Sequence, residues 1–239
     1  MAARQNPPEL ERSDKQQRMA NVRENYVRIL ERLHAAAART GRLPEAIQLI
    51  AVTKTVPPAR MREAIEAGVR HIGENRLQEA LPKREALHDA AVTWHFIGHL
   101  QTNKAKKVAE NFDWVQCVDR PELAEKLNEA ATKPLPVLIE VNVGGELSKS
   151  GIDPQGLKEF VRSFKKYERL SLRGLMTIPP FLEGPEEVRP YFRKLRQLAE
   201  QFALPDLSMG MSHDFEVAVE EGATMVRIGT SLFGERRHG

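Results

Sequence analysis

"LIAVTKTVPPARMREAIEAGVRHIG", residues 49–73, reads as strand, helix, strand. An aliphatic run stops at Lys54, Pro57 and Pro58 break it, "ARMREAIEAG" has helical spacing and ends on Gly68, and "VRHIG" is β-rich again. Two strands joined through a helix lie parallel in one sheet. Outward from this unit the alternation continues, with β-rich runs at "VTWHFIG", "WVQCV", "PVLIEVNV", "LRGLMTI", "LSMGM" and "MVRIG". Helical stretches separate them: "NRLQEALPKREALHD", "NKAKKVAE", "PELAEKLNEAA", "PQGLKEFVRSF", "VRPYFRKLRQLAEQF" and "FEVAVEEG". Eight such runs predict an α/β fold, a single (β/α)8 TIM barrel. A doubly wound open sheet is the structural alternative, because short apolar runs do not reveal closure. The absence of a GxGxxG after the first strand counts against a dinucleotide-binding version of it.

The length of 239 residues suits one such barrel, and no linker rich in proline, glycine or serine divides the chain. Residues 1–12 read as a disordered segment, and residues 13–239 as one domain that includes an extra N-terminal helix. Ser13 is the expected cap of that helix and Gly41 its stop, with Met19, Val22, Tyr26, Ile29, Leu30 and Leu33 as an apolar stripe. "IPPFLEGPEEV" reads as a loop entering a long helix near Val188.

The 36 basic and 33 acidic side chains leave a net charge of only +3, which points to a small-molecule partner rather than nucleic acid. Cys117 is alone, so no intramolecular disulfide and no multi-cysteine metal motif forms, which suits a reducing compartment. The polar N-terminus lacks the apolar core of a signal peptide, and no apolar run is long enough to span a bilayer. A cytoplasmic location and a monomer without membrane or nucleic-acid partners are the expectations.

In an α/β barrel the groups at the C-terminal ends of the strands face the site. The first strand supplies Lys54, the second Asn75, the fifth Asn142 and "SKSG", the seventh "SMGMSHD", and the eighth Arg227 and "IGTSLFG". A lysine at the inner end of a strand is partly desolvated, and its neutral amine is a nucleophile toward an aldehyde. On position alone, a rim lysine paired with a carboxylate is an equal reading. Gly229, Thr230 and Ser231 open a short helix where backbone N–H groups and hydroxyls suit an anion, and Ser212 adds another hydroxyl. This cup is expected across the mouth from Lys54. A ligand with both an aldehyde and a phosphate fits the two features: pyridoxal 5′-phosphate, or a phosphosugar in an aldolase.

The stretches "AVTKTVP", "GENRLQEA", "WHFIGHLQTNKAK", "SKSGI", "RGLMTIPP" and "LSMGMSHDFEVAVEEGATMVRIGTSLFGER" resemble, in order, the YggS/PROSC family of pyridoxal phosphate homeostasis proteins. The resemblance runs from about residue 48 to 237 and leaves out only the N-terminal extension. It implies a barrel like that of alanine racemase, with pyridoxal 5′-phosphate held as a covalent aldimine on Lys54. It also implies Arg227 beside the pyridine nitrogen, Ser212, Gly229 and Thr230 on the phosphate, and Asn75 lining the pocket. A guanidinium beside that nitrogen keeps it unprotonated and weakens the ring as an electron sink.

The main functional expectation is therefore a non-catalytic carrier that limits free cofactor and delivers it to PLP-dependent apoenzymes. An amino-acid racemase is the alternative. It needs acid/base groups on both faces of the bound amino acid, and in alanine racemase the second is a tyrosine from an additional domain of the partner subunit. Tyr26, Tyr167 and Tyr191 all fall in expected helices, and the chain has no length for such a domain. A third reading docks protein partners on the N-terminal helix. His71, His95, His99 and His213 lie near strand ends without a supporting carboxylate or cysteine pattern, so no metal is expected, and His95 reads as a barrel-interior residue. The basic "NKAKKVAE" reads as a solvated helix face, with Lys104 and Lys149 as candidates for attracting the anionic cofactor.

Overall fold

The structure, a computed structural model, describes residues 21–146 and 149–234. The strands are β1 (Gln48–Val52), β2 (His71–Glu74), β3 (Thr93–Phe96), β4 (Trp114–Val118), β5 (Leu135–Glu140), β6 (Leu170–Met176), β7 (Asp206–Ser208) and β8 (Met225–Ile228). They form one closed parallel barrel in sequence order, β1 pairing with both β2 and β8. All eight β-rich runs are thus strands, and closure decides against the open sheet. The helices are α1 (Val22–Arg39), α2 (Pro58–Ala67), α3 (Leu77–Ala86), α4 (Ala105–Asn111), α5 (Pro121–Ala130), α6 (Leu157–Ser163), α7 (Arg189–Glu200), α8 (Phe215–Glu220) and α9 (Thr230–Phe233).

Helix starts follow local chemistry. Pro58 and Pro121 occupy first positions, where the missing N–H has no intrahelical acceptor to lose. At the start of α1 the side chain of Asn21 accepts a hydrogen bond from the Arg23 N–H at 3.1 Å. The N-cap of the described helix is therefore Asn21; residues 1–20, including the expected cap Ser13, Met19 and the segment expected to be disordered, lie outside the described residues. Gly41 follows the end of α1 in the left-handed region (φ 67°), where glycine carries no Cβ penalty.

The apolar stripe of α1 is committed to the barrel. Val22, Ile29, Leu33, Ala36 and Ala37 are buried as the helix crosses α2 and α8. Each large side chain on that face contributes about 1.5–3 kcal/mol by leaving water. The Tyr26 hydroxyl adds a hydrogen bond to the Gly68 carbonyl. That face of the described helix is consequently not available as a partner-docking surface. Tyr167 also departs from expectation: it follows a short 3-10 turn (Phe164–Lys166) rather than lying in a helix, and its hydroxyl donates to the Pro121 carbonyl.

Candidate functional site

Even-numbered residues of β1 face the barrel interior, so Ile50 and Val52 project to the same side as Arg227, while the Thr53 hydroxyl reaches Glu74 in the wall. Lys54 is half-buried just past the strand. A turn closes over it, with the Val56 N–H donating to the Thr53 carbonyl at 2.9 Å. Its third residue, Thr55, sits at φ 64°, and its N–H donates to Glu79 Oε2. A β-branched residue in that region is strained.

The last strand is the hydrogen-bonded neighbour of the first, with Ile50 opposite Arg227 and Ala51 opposite Ile228. The expected cup therefore stands beside Lys54, not across the mouth from it, because barrel closure brings the two ends of the sheet together. Gly229 lies against Val52 and caps α9. The Ser231 N–H donates to Ser212 Oγ at 3.1 Å, tying the loop after β7 to the start of α9. Gly210, two residues before Ser212, has φ 90°, and a Cβ there would meet Ala218 at 2.5 Å, so only glycine lets this loop fold back over α8. On the other side of β1, Asn75 follows β2. Its Oδ1 is buried and accepts no hydrogen bond, and Gly98 gives it room, since a Cβ there would meet the Asn75 carbonyl at 2.4 Å. Asn75, Lys54, Gly229 with Thr230, and Ser212 thus come from four consecutive strands around the closed barrel.

Arg227 is 4% exposed. Its guanidinium donates to Ser208 Oγ (2.7 Å) and to the Thr177 carbonyl (2.8 Å). Burial lowers its pKa to about 10, against the attraction of Glu140 and Asp214, so it is cationic at neutral pH. Glu140, at the end of β5, is raised to about 7 by burial and by Asp119, with Arg227 opposing. Below Arg227, Ser208 Oγ donates to Gln116 Oε1 (2.7 Å), and Gln116 Nε2 lies 3.0 Å from His95 Nδ1. His95 Nε2 in turn lies 3.1 Å from His71 Nδ1. Gln116 Nε2 only donates, so His95 carries its proton on Nε2, and every bond in the chain runs in one direction from Arg227 to His71. Burial, and secondarily His71, lower His95 to about 3. His95 is the interior residue expected, with both nitrogens engaged.

Several of these groups escaped sequence reasoning. Glu140 was the one acid inside the aliphatic run "PVLIEVNV", which was the signal available for it. Glu74, Lys83, Ser208 and Gln116 gave none, because their partners are distant in sequence. Other candidates engage elsewhere: Lys149 Nζ donates to the Pro179 carbonyl, His213 Nε2 lies 2.9 Å from the Glu183 carbonyl, and His99 Nδ1 lies 3.1 Å from Ser150 Oγ. Among the described residues no three His, Cys, Asp or Glu converge on a common point suited to a metal, and no helix is long and apolar enough to cross a membrane. A cavity of about 330 Å³ opens at the opposite, N-terminal end of the barrel, between Gln48, Trp114, Asp206 and Met225. The mouth remains the candidate site, since Lys54, the buried Arg227 guanidinium and the unsatisfied Asn75 oxygen are all there.

The sequence matches the family described as alanine racemase, N-terminal domain, over residues 21–237. A pyridoxal phosphate homeostasis protein of Aquifex aeolicus is 51% identical over 227 residues, covering 91% of this chain and all of the relative. The protein of that name from Escherichia coli K12 is 44% identical over 233 residues, covering 91% of this chain and 98% of the relative. Among solved structures, PipY of Synechococcus elongatus PCC7942 with PLP bound superposes with a TM-score of 0.76 at 41% identity, covering 86% of this chain and all of PipY. Alanine racemase of Clostridium difficile 630, at 16% identity and TM-score 0.68, covers 90% of this chain but 57% of its own length and shares the fold alone. The chain belongs to the pyridoxal phosphate homeostasis protein family, built on the barrel of the alanine racemase N-terminal domain.

Proposed function

We propose that this protein binds pyridoxal 5′-phosphate at the barrel mouth and acts in the cytoplasm in homeostasis of that cofactor, holding it as an aldimine on Lys54 and delivering it to apoenzymes. The observation that carries the reading is the placement of Lys54 on the strand next to β8, whose end supplies Arg227, Gly229 and Thr230. The PLP bound by PipY, 41% identical to this chain, supports it. The buried Asn75 Oδ1 is a fit test within this structure: an unsatisfied acceptor at the mouth is costly unless a ligand group meets it.

In this reading Ser212, Gly229 and Thr230 take the phosphate, Arg227 meets the pyridine nitrogen, and Asn75 lines the wall. The bound cofactor contributes an electrophilic carbonyl carbon. The Ser208 hydroxyl and the Thr177 carbonyl fix the guanidinium plane, and the charge it retains at neutral pH disfavours a protonated pyridine. That disfavours carbanion chemistry and supports a non-catalytic role, in line with relatives named for homeostasis rather than for a reaction. The tyrosines add to this. Tyr26 and Tyr167 hydrogen-bond to backbone carbonyls in the outer helical layer, and Tyr191 is on α7, so none stands at the mouth as a racemase's second acid/base group.

The test is borohydride reduction of the protein mixed with pyridoxal 5′-phosphate, followed by peptide mass mapping. The reduced adduct is expected on the peptide carrying Lys54; an adduct spread over surface lysines would reject the assignment.

A further inference from the structure

We infer that Lys83 and Glu74, a buried ion pair on the outer side of the barrel wall, are positioning residues that orient Lys54 through Thr53; the inference rests on the cofactor-binding reading above. Thr53 directly precedes Lys54, one residue past the end of β1, so whatever fixes its backbone fixes where the Lys54 side chain sets out. Thr53 is held by every polar group it has. Its N–H donates to the Gly73 carbonyl (3.0 Å), and its hydroxyl donates to Glu74 Oε1 (2.6 Å). Its carbonyl accepts from both the Val56 N–H (2.9 Å) and Lys83 Nζ (2.7 Å). Lys83 Nζ also pairs with Glu74 Oε1 at 2.7 Å, which closes a ring of Thr53, Glu74 and Lys83.

Glu74 is fully buried and Lys83 nearly so. Such a pair is a poor device for stability alone, since desolvation offsets most of its attraction and apolar replacements often do as well. Glu74 Oε2 is moreover buried without a partner. The pair does something an apolar pair cannot: it places a charged donor on the carbonyl directly before Lys54. The same carbonyl closes the turn whose third residue, Thr55, is strained at φ 64°. Without the ammonium, the turn relaxes and the amine loses its fixed direction. With pyridoxal 5′-phosphate bound, the Lys54 amine would add to its aldehyde carbon, and one water would leave as the C=N bond forms.

The experiment uses the full chain with pyridoxal 5′-phosphate and compares wild type, Lys83→Met, Lys83→Arg and Thr53→Val. Three quantities are read: the dissociation constant from titration of the visible band, the induced circular dichroism of that band per bound cofactor, and amide hydrogen exchange at Val56 without cofactor. A hydrogen bond from a charged donor corresponds to about a factor of ten or more. Lys83→Met is therefore expected to bind about tenfold more weakly, to lose most of the induced dichroism, and to exchange the Val56 amide about tenfold faster. Lys83→Arg, which keeps a charged donor, is expected to restore most of the dichroism. Thr53→Val, which is nearly isosteric, covers the case in which Lys83→Met does not fold, and about threefold weaker binding is expected. Wild-type dichroism and affinity in a folded Lys83→Met or Thr53→Val would overturn the inference alone. A wild-type band that survives in Lys54→Ala would overturn the cofactor reading, and the inference with it.

Discussion

The buried polar groups of this barrel form two systems built differently. The interior chain from Ser208 through Gln116 and His95 to His71 is made of neutral dipoles, each donor finding an acceptor. Around the mouth the groups are ionisable: Arg227 near Glu140 inside the wall, and the ion pair of Lys83 with Glu74 outside it. There the matching is incomplete, with Asn75 Oδ1 and Glu74 Oε2 buried and unpaired, and the backbone at Thr55 strained. A satisfied neutral network stabilises and specifies a core. Unsatisfied atoms and strain are tolerated where something else is gained; Asn75 Oδ1, Glu74 Oε2 and the φ of Thr55 bring both to the residues flanking Lys54, although Gln48, Arg84 and Ala203 show one or the other elsewhere.

The contrast is sharpest in variants that break each system. Removing the interior charge in Arg227→Met leaves Ser208 Oγ and the Thr177 carbonyl without their buried donor, and a loss of about 3 kcal/mol is expected in chemical denaturation. A loss under 1 kcal/mol would show that the mouth tolerates unsatisfied acceptors.

The pH dependence separates the systems by sign. The folded-state pKa of His95, about 3, lies below its ordinary 6.5, so protonation favours the unfolded chain. Its stabilising contribution is complete above pH 6.5 and is lost as pH falls toward 3. In His95→Asn the acid limb is expected to lose up to about 1.4 kcal/mol per pH unit of slope over that window, measured by denaturation at several pH values. Glu140 acts oppositely. Its pKa is raised from 4.5 to about 7, so ionisation favours unfolding, and stability is lost as pH rises through 7. Glu140→Gln is expected to remove that loss and to gain about 1 kcal/mol at pH 8, a gain that vanishes at pH 4. An equal effect at both pH values would contradict the assignment.

The smallest effect belongs to the strained turn. Thr55→Gly relieves the unfavourable φ but gives the unfolded chain more freedom, so a net gain of about 0.5–1 kcal/mol in thermal unfolding is expected. Destabilisation would mean that the turn is not strained.

The fold was legible because each strand was a compact aliphatic run bounded by turn or helix signals, and Lys54 and Arg227 were legible because they end such runs. The circular order of the barrel was not, which is why the cup was expected across from Lys54: only pairing between residues some 180 positions apart, such as Ile50 with Arg227, shows that the first and last strands touch. The Lys83–Glu74 pair was hidden for a related reason. Lys83 looks like any polar residue of α3, and only the packing of that helix on β2 turns it inward.

The central claim, that Lys54 at this mouth captures pyridoxal 5′-phosphate, is tested most directly by the visible absorption spectrum of the purified protein titrated with the cofactor, beside Lys54→Ala. A saturable yellow band in the wild type, abolished by borohydride and absent from Lys54→Ala, is the expected result. No band in either protein, or an equal band in both, would contradict the account.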